Sequence, residues 1–354
     1  MRTGYEFIHL DAGGVVWDRM KQRPHHLFRA LAQAGQKGYF VNDEGRADTP
    51  DPMLGLKVVG REDRLPVDRP ILYIYLSTNY EKIKNFRNPV VLYDILDDPK
   101  IHEEADRGSP PEASCAYYHE KLLAEAEIVM TSSRVLYERY RRARPDILLV
   151  PNGVWPEDFR VEKGPRPEDL PPVGKALIGY YGAVAGWFDF KLVGYASEAW
   201  PDCQFVLIGL TDRKAEVEAF TASHPNVFYL GEKRYEELPQ YLAHFDAAIL
   251  PFVVNEVTNA VCPVKLFEYA AGGKPVVSTG FREVRQYPGV FVAENKKEFV
   301  TKLEEALKAR DDAGYRQQLA RLAEENTWPE RAGRILAELD RRLGDSGAAS
   351  HERT

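Results

Sequence analysis

The sequence predicts an α/β protein built from two Rossmann-like halves, and three observations carry that prediction. Short unbroken apolar runs alternate with helix-period segments along nearly the whole chain. The series occurs twice, with a proline- and charge-rich break between the two occurrences. The length of 354 residues, with 44% hydrophobic content, exceeds one ordinary core and supplies two of roughly 150 to 170 residues each. Unbroken apolar runs between helices read as parallel strands covered on both faces.

In the first series the strand-like runs are residues 5–10, 38–42, 56–59, 71–76, 90–94, 128–132 and 147–150. Sheets of this kind bind ligands beyond the carboxyl ends of their strands. Attention therefore falls on the residues just after each run: Asp11 to Gly14, Ser77 to Asn79, Asp94 to Asp98, Ser132 and Ser133, and Asn152 and Gly153. Residues 156–172 are rich in proline and charge without an apolar period, which predicts an interdomain linker. The second series has runs at 176–181, 204–208, 227–230, 247–250, 275–279 and 290–292, with helical stretches at 191–200 and 238–244. Helical patterns follow at 296–309, 315–325 and 329–343, and residues 344–354 read as a disordered tail. The expected division is 1–165, 166–327 and 328–354.

Composition narrows the function. A net charge of -7 argues against a general nucleic-acid binder, whose affinity rests on many phosphate contacts. No apolar run approaches the roughly 20 residues of a membrane span, and the N-terminus runs directly into a strand-like segment, so a cytoplasmic protein is expected. Three widely spaced cysteines without a histidine cluster read as reduced structural thiols. No metal site is expected.

The most informative segment is 260–279. Pro263 suits a first helical position, Gly272 and Gly273 suit a helix end, and Pro275 opens an apolar strand. Lys265 and Glu268 are three apart and share a helix face, while Leu266, Phe267 and Ala270 point towards a core. A helix start offers free N–H groups and positive dipole, and an ammonium one turn in adds the charge a diphosphate leaving group needs. A carboxylate deeper in the helix suits a ribose diol. The alternative is an amphipathic helix with a weak surface salt bridge between the two.

Pro263-Val-Lys-Leu-Phe-Glu-Tyr269, followed by Gly272-Gly-Lys-Pro-Val-Val277, resembles the donor-site signature of retaining, GT-B-fold glycosyltransferases of the family 4, or group 1, type. Trp17 to Leu27, Tyr93-Asp-Ile-Leu-Asp-Asp98, Val150-Pro-Asn-Gly-Val154, Ile178-Gly-Tyr-Tyr-Gly182 and Glu325-Asn-Thr-Trp328 occur in the order found in bacterial polysaccharide and teichuronic-acid-type members. The resemblance spans most of the chain. It implies two Rossmann-like domains facing across a cleft, with the last helix crossing back to the first. It further implies transfer from a nucleotide-diphosphate sugar, UDP favoured, to a saccharide or lipid-linked saccharide, with no cofactor and no metal. Asp-x-Asp, the metal-binding spacing of the other major glycosyltransferase fold, is missing.

On this resemblance Gly13 and Gly14 face the donor diphosphate from the first domain and Gly182 from the second, with Gly209 close to the nucleotide. Tyr235 flanks the base, and Val264, Lys265 and Glu268 hold diphosphate and ribose. Trp17, Arg19, Gln22, Arg23 and His26 mix aromatic surface with donors suited to sugar hydroxyls, which points to the acceptor; a solvated basic helix face is the alternative. Asp94 is the expected catalytic carboxylate and Asp97 the second choice, while Asp98 before Pro99 reads as a turn. Five arginines between Arg134 and Arg144 suit either solvent or anionic lipid at the inner face of a membrane.

The sequence departs from the family pattern at two places. A glutamate eight positions before the ribose-binding one is replaced by Ala260, with Glu256 or Asn255 as substitutes from the same loop. Of a basic pair after the first strand of the second domain only Lys191 remains. A nucleotide-sugar epimerase or hydrolase, and a noncatalytic nucleotide-sugar-binding protein, are the rival readings. A dinucleotide dehydrogenase is disfavoured because Gly-x-Gly-x-x-Gly follows no strand.

Overall fold

The computed structural model describes residues 4–10, 21–41, 49–50, 55–60, 65, 67–97 and 114–348. These divide into two compact units, residues 1–152 with 328–354, and residues 153–327.

The sheet of the first unit contains β1 (Glu6–His9), β2 (Lys37–Val41), β3 (Thr49–Pro50), β4 (Leu56–Val59), β5 (Ile71–Ile74), β6 (Val90–Ile95), β7 (Ile128–Thr131) and β8 (Leu148–Leu149). Their spatial order is β3-β4-β2-β1-β5-β6-β7-β8, parallel except where β3 meets β4. The unbroken apolar runs produce this arrangement because β5, β6 and β7 are buried at every position and present both faces to helices. Helix α1 (Arg23–Gln33) buries Leu27, Phe28 and Leu31 against the sheet, and α2 (Cys115–Glu125) and α3 (Arg134–Tyr140) begin at the side-chain caps Ser114 and Ser133.

The second unit holds β9 (Ala176–Tyr181), β10 (Cys203–Ile208), β11 (Val227–Tyr229), β12 (Ala247–Leu250), β13 (Val276–Thr279) and β14 (Val290–Ala293). All pair in parallel in the order β11-β10-β9-β12-β13-β14, the doubly wound Rossmann order. Helix α4 (Pro156–Phe159) opens this unit, followed by α5 (Phe190–Ala199), α6 (Lys214–Ser223), α7 (Leu238–His244), α8 (Val264–Ala271), α9 (Lys296–Ala309) and α10 (Ala313–Glu324).

Three expectations need correction. The boundary expected after residue 165 lies between residues 152 and 153. The supposed linker is anchored in the second unit because Phe159 and Leu170 enter its core. Helix α11 (Trp328–Ala348) belongs to the first unit, as expected of the last helix, but it continues through residues 344–348, part of the expected tail. It is fixed there by Trp328, Ile335, Leu336 and Leu339, all buried, by the stacking of Trp328 on His26 at 5.1 Å, and by Arg331 donating from Nε to the Pro151 carbonyl at 3.1 Å.

Candidate donor site

The second sheet reverses its winding between β9 and β12, and the loops after these strands flank that switch point, where sheets of this kind take their ligands. These loops are bonded to each other: Asp189 N–H donates to the Pro251 carbonyl and Val253 N–H to the Trp187 carbonyl, each at 2.8 Å, beside an antiparallel bridge between Phe188 and Phe252. On the other flank, Val184 N–H donates to Leu210 and Gly182 N–H to Ile208, at 2.8 and 2.9 Å.

Glycine is required at two points here. Gly209 has φ +141°, and a Cβ there would lie 2.0 Å from the Gly182 carbonyl oxygen. Gly182 has φ +140°, and its Cβ would lie 3.0 Å from both Lys265 Cε and the Tyr180 hydroxyl. Gly182, Gly209 and Lys265, singled out separately in the sequence, are thus brought to one place.

Helix α8 begins at Pro263, which is the N-cap and not the first helical residue, and no side chain caps the helix start. Its first N–H groups therefore have no side-chain acceptor at that cap. Leu266, Phe267 and Ala270 are buried as the helical period predicts, and Val264 and Lys265 are half-buried. The surface salt bridge does not form. Among the described residues Lys265 has no ion pair, and Glu268 is only 4% exposed. Burial raises the Glu268 carboxyl from 4.5 to about 7, opposed by the Lys265 ammonium and the nearby Tyr181 hydroxyl and reinforced by Asp158.

Asp158, on α4, was missed because its segment reads as a linker. The available signal was Pro156 followed by Glu157 and Asp158, a helix-start pattern. Tyr235, the expected base neighbour, donates its hydroxyl to Asp158 at 3.3 Å and sets its ring edge on Phe159. Ala260 is fully buried. Glu256 and Asn255 are exposed on the preceding loop, which is held when Thr258 N–H donates to Asn255 Oδ1 at 2.9 Å and Asn255 N–H donates to Thr258 Oγ1 at 3.0 Å. Asp189 caps α5 by accepting from Leu192 N–H at 2.9 Å. Lys191 is exposed in the first turn of the same helix.

In the first unit the residues expected at the catalytic and acceptor side are placed as follows. Asp94 has no exposed surface. Arg23 donates to it from Nε at 2.7 Å and from a terminal nitrogen at 3.2 Å, and the Tyr73 hydroxyl donates at 2.5 Å. Arg23 also reaches Asn152 Oδ1 at 3.1 Å. These two residues, expected in catalysis and acceptor binding, neutralise each other inside the fold. His26 is buried under Trp328, and Gln22 is the N-cap of α1, its N–H donating to His25 Nδ1 at 3.1 Å. Asp97 is exposed. Gly13, Gly14, Trp17, Arg19 and Asp98 lie outside the described residues.

His9, at the end of β1, went unnoticed in the sequence. It is fully buried, stacked on Phe40 at 4.0 Å, and burial lowers its imidazole from 6.5 to about 3, so it is neutral. Among the described residues no group of three or more histidine, cysteine, aspartate and glutamate side chains is arranged to hold a metal.

The two parallel α/β units define the fold class, and known proteins share it. Residues 189–309 match the family described as Glycosyl transferases group 1. A Bacillus subtilis (strain 168) protein, by name the teichuronic acid biosynthesis glycosyltransferase TuaH, is 26% identical over 219 residues, 59% of this chain and 55% of that protein. The chain therefore aligns with about half the length of that relative. Among solved structures, sucrose-phosphate synthase from Thermosynechococcus elongatus superposes with TM-score 0.67 at 14% identity, covering 98% of this chain and 100% of that one. Anabaena Alr3699/HepE in complex with UDP and glucose does so with TM-score 0.67 at 12% identity, covering 95% and 99%. The likeness to group 1 glycosyltransferases is thus carried by a family match in the second unit and by one relative, and the solved structures share the GT-B fold over nearly the whole chain.

Proposed function

We propose that the chain transfers a sugar from a nucleoside-diphosphate sugar, UDP favoured, to a saccharide or lipid-linked saccharide of a cell-surface polymer, with retention at the anomeric carbon and without a metal. The observation that carries the donor reading is Lys265: half-buried, without an ion pair among the described residues, and set against the Gly182 loop at the switch point. There its ammonium and the uncapped start of α8 meet the two phosphates, and charge developing on the departing diphosphate strengthens both interactions in the transition state. Glu268, one turn on, accepts the ribose hydroxyls. The UDP preference is supported by the structural relative that holds UDP and glucose. Retention and the absence of a metal rest on the family resemblance and on the missing Asp-x-Asp.

Asp97, exposed beyond β6, is the carboxylate we assign to the acceptor side. No helix among the described residues is long and apolar enough to cross a membrane. Contact with anionic lipid through α3 is a weaker part of the proposal, because Arg141 pairs with Glu138 and Arg144 is committed to Asp146 and to carbonyls of the first unit.

The experiment is a binding and turnover panel. A nucleoside diphosphate at 100 times its dissociation constant should stabilise the parent by about 2.7 kcal/mol. Transfer to a saccharide acceptor should follow donor binding. Donor breakdown that needs no acceptor would favour the hydrolase reading, binding without turnover the noncatalytic one, and no stabilisation by any nucleotide would end the proposal.

A further inference from the structure

Exposed large apolar side chains are unevenly placed. Among the described residues they are Tyr117, Val173, Trp187, Leu210, Val253 and Val254, and four of these lie in the loops beyond β9, β10 and β12 of the second sheet. Trp187 is 38% exposed and Val254 50%. Backbone bonds tie the loops into one rim, Trp187 to Val253 and Val184 to Leu210, each at 2.8 Å.

The rim adjoins the cation. A Cβ on Gly182 would touch the Tyr180 hydroxyl on one side and Lys265 Cε on the other, each at 3.0 Å. The same buried hydroxyl donates to the Ala183 carbonyl at 2.9 Å, in the loop that carries Trp187. An ammonium without an ion pair among the described residues, a glycine loop and an exposed indole therefore follow one another along this rim. A solvent-facing indole is poorly explained by packing, since turning it inward would bury more apolar area. Its surroundings match a ligand whose anionic portion is joined to a ring with a face of C–H groups. Asn255 and Glu256, exposed next to Val254, supply hydrogen-bonding groups for the hydroxyl rim of such a ring.

We propose that Trp187, flanked by Val253 and Val254, is the platform on which the sugar ring of the donor lies, so that it distinguishes the nucleotide sugar from the bare nucleotide. This inference rests on the donor-site reading above and adds a specificity-determining residue to it. No group is transferred to or from Trp187; its contribution is binding and orientation.

The test compares dissociation constants of UDP, UDP-glucose and UDP-N-acetylglucosamine, by calorimetry, for the parent, Trp187→Ala, Trp187→Leu and Trp187→Phe. If the parent prefers another base, the corresponding nucleotide and nucleotide sugars replace them. Removing the aromatic face should weaken the nucleotide sugars about tenfold and the bare nucleoside diphosphate less than twofold, with most of the loss restored in Trp187→Phe. Trp187→Leu keeps an apolar side chain at the rim and serves if the alanine variant fails to fold. Equal losses for nucleotide and nucleotide sugar would show that Trp187 only holds the loop, and unchanged donor affinity with a raised acceptor KM would assign the platform to the acceptor. Either result overturns this inference while leaving the donor site standing. A parent chain that binds no nucleoside diphosphate overturns the proposed function, and this inference with it.

Discussion

At the end of β6 the Asp94 carboxylate is met by Arg23 on both oxygens and by the Tyr73 hydroxyl, and no surface remains. In the first turn of α8 the Lys265 ammonium has no carboxylate partner among the described residues, and Glu268 is buried without an ion pair among them. Both places look alike in sequence, a charged residue at the edge of an apolar segment where a Rossmann-like sheet presents ligands. What separates them is the partner set. A buried charge whose counter-ion and hydrogen bonds are supplied internally is part of the fold, and a charge left without a counter-ion is available to a ligand.

The largest effect that tests this contrast is expected at Arg23. Arg23→Ala leaves Asp94 buried without its counter-ion, and chemical denaturation should show a loss of about 3–5 kcal/mol. Asp94→Asn should also reduce stability, because the guanidinium then loses its charge partner. Donor affinity of the folded fraction should change less than twofold in both. A variant as stable as the parent that had lost only transfer would return Asp94 to the catalytic role first expected for it.

Lys265→Ala is the opposite case. With no ion pair to break among the described residues, the unfolding free energy should shift by no more than about 0.5 kcal/mol. Transfer should fall about 10²–10³-fold, the scale for removing one donor to a developing anion. Equal turnover in variant and parent would place the diphosphate elsewhere and erase the contrast with Asp94.

The two sites were unequally legible for a physical reason. Lys265 and Glu268 could be placed on one helix face because their spacing is local, and Gly182 and Gly209 could be flagged because backbone approach favours glycine after a strand. The Arg23–Asp94 pair joins residues 71 apart in sequence, and no periodicity predicts such a partner. The supposed linker failed differently. Its helix, Pro156–Phe159, is only four residues long, too short to show a period, and its attachment depends on the burial of Phe159 and Leu170.

Glu268 sharpens the comparison through pH. Its unfolded carboxyl titrates near 4.5 and its folded one near 7, so between these values the folded chain binds more protons than the unfolded chain. The contribution favours the fold below pH 4.5 and is lost as pH rises to about 7. It amounts to at most about 3.5 kcal/mol, since each pH unit separating the two titrations is worth about 1.4 kcal/mol. Glu268→Gln should flatten this part of the stability profile. A ribose diol donates to the ionised form, so donor affinity in the parent should rise with pH up to about 7 and then level. An affinity independent of pH from about 5.5 to about 8.5, with the stability slope intact, would separate Glu268 from the ribose.

The smallest effect expected comes from two helix starts in the same unit. Helix α5 is capped by Asp189, which accepts from Leu192 N–H, whereas α8 begins at Pro263 with no side-chain cap. Asp189→Ala removes an acceptor that the fold already uses, and should cost about 1 kcal/mol of stability. The vacated N–H groups of α5 also compete for anions, so the variant reports on which helix start the donor prefers. If the diphosphate is held at α8 beside Lys265, donor affinity should stay within about twofold of the parent, since the second start lacks that ammonium. Calorimetry on Asp189→Ala and on the double variant with Lys265→Ala decides it. Binding lost in Lys265→Ala and regained when Asp189 is also removed would show that an uncapped helix start suffices, and that Lys265 is not what distinguishes this unit from the first.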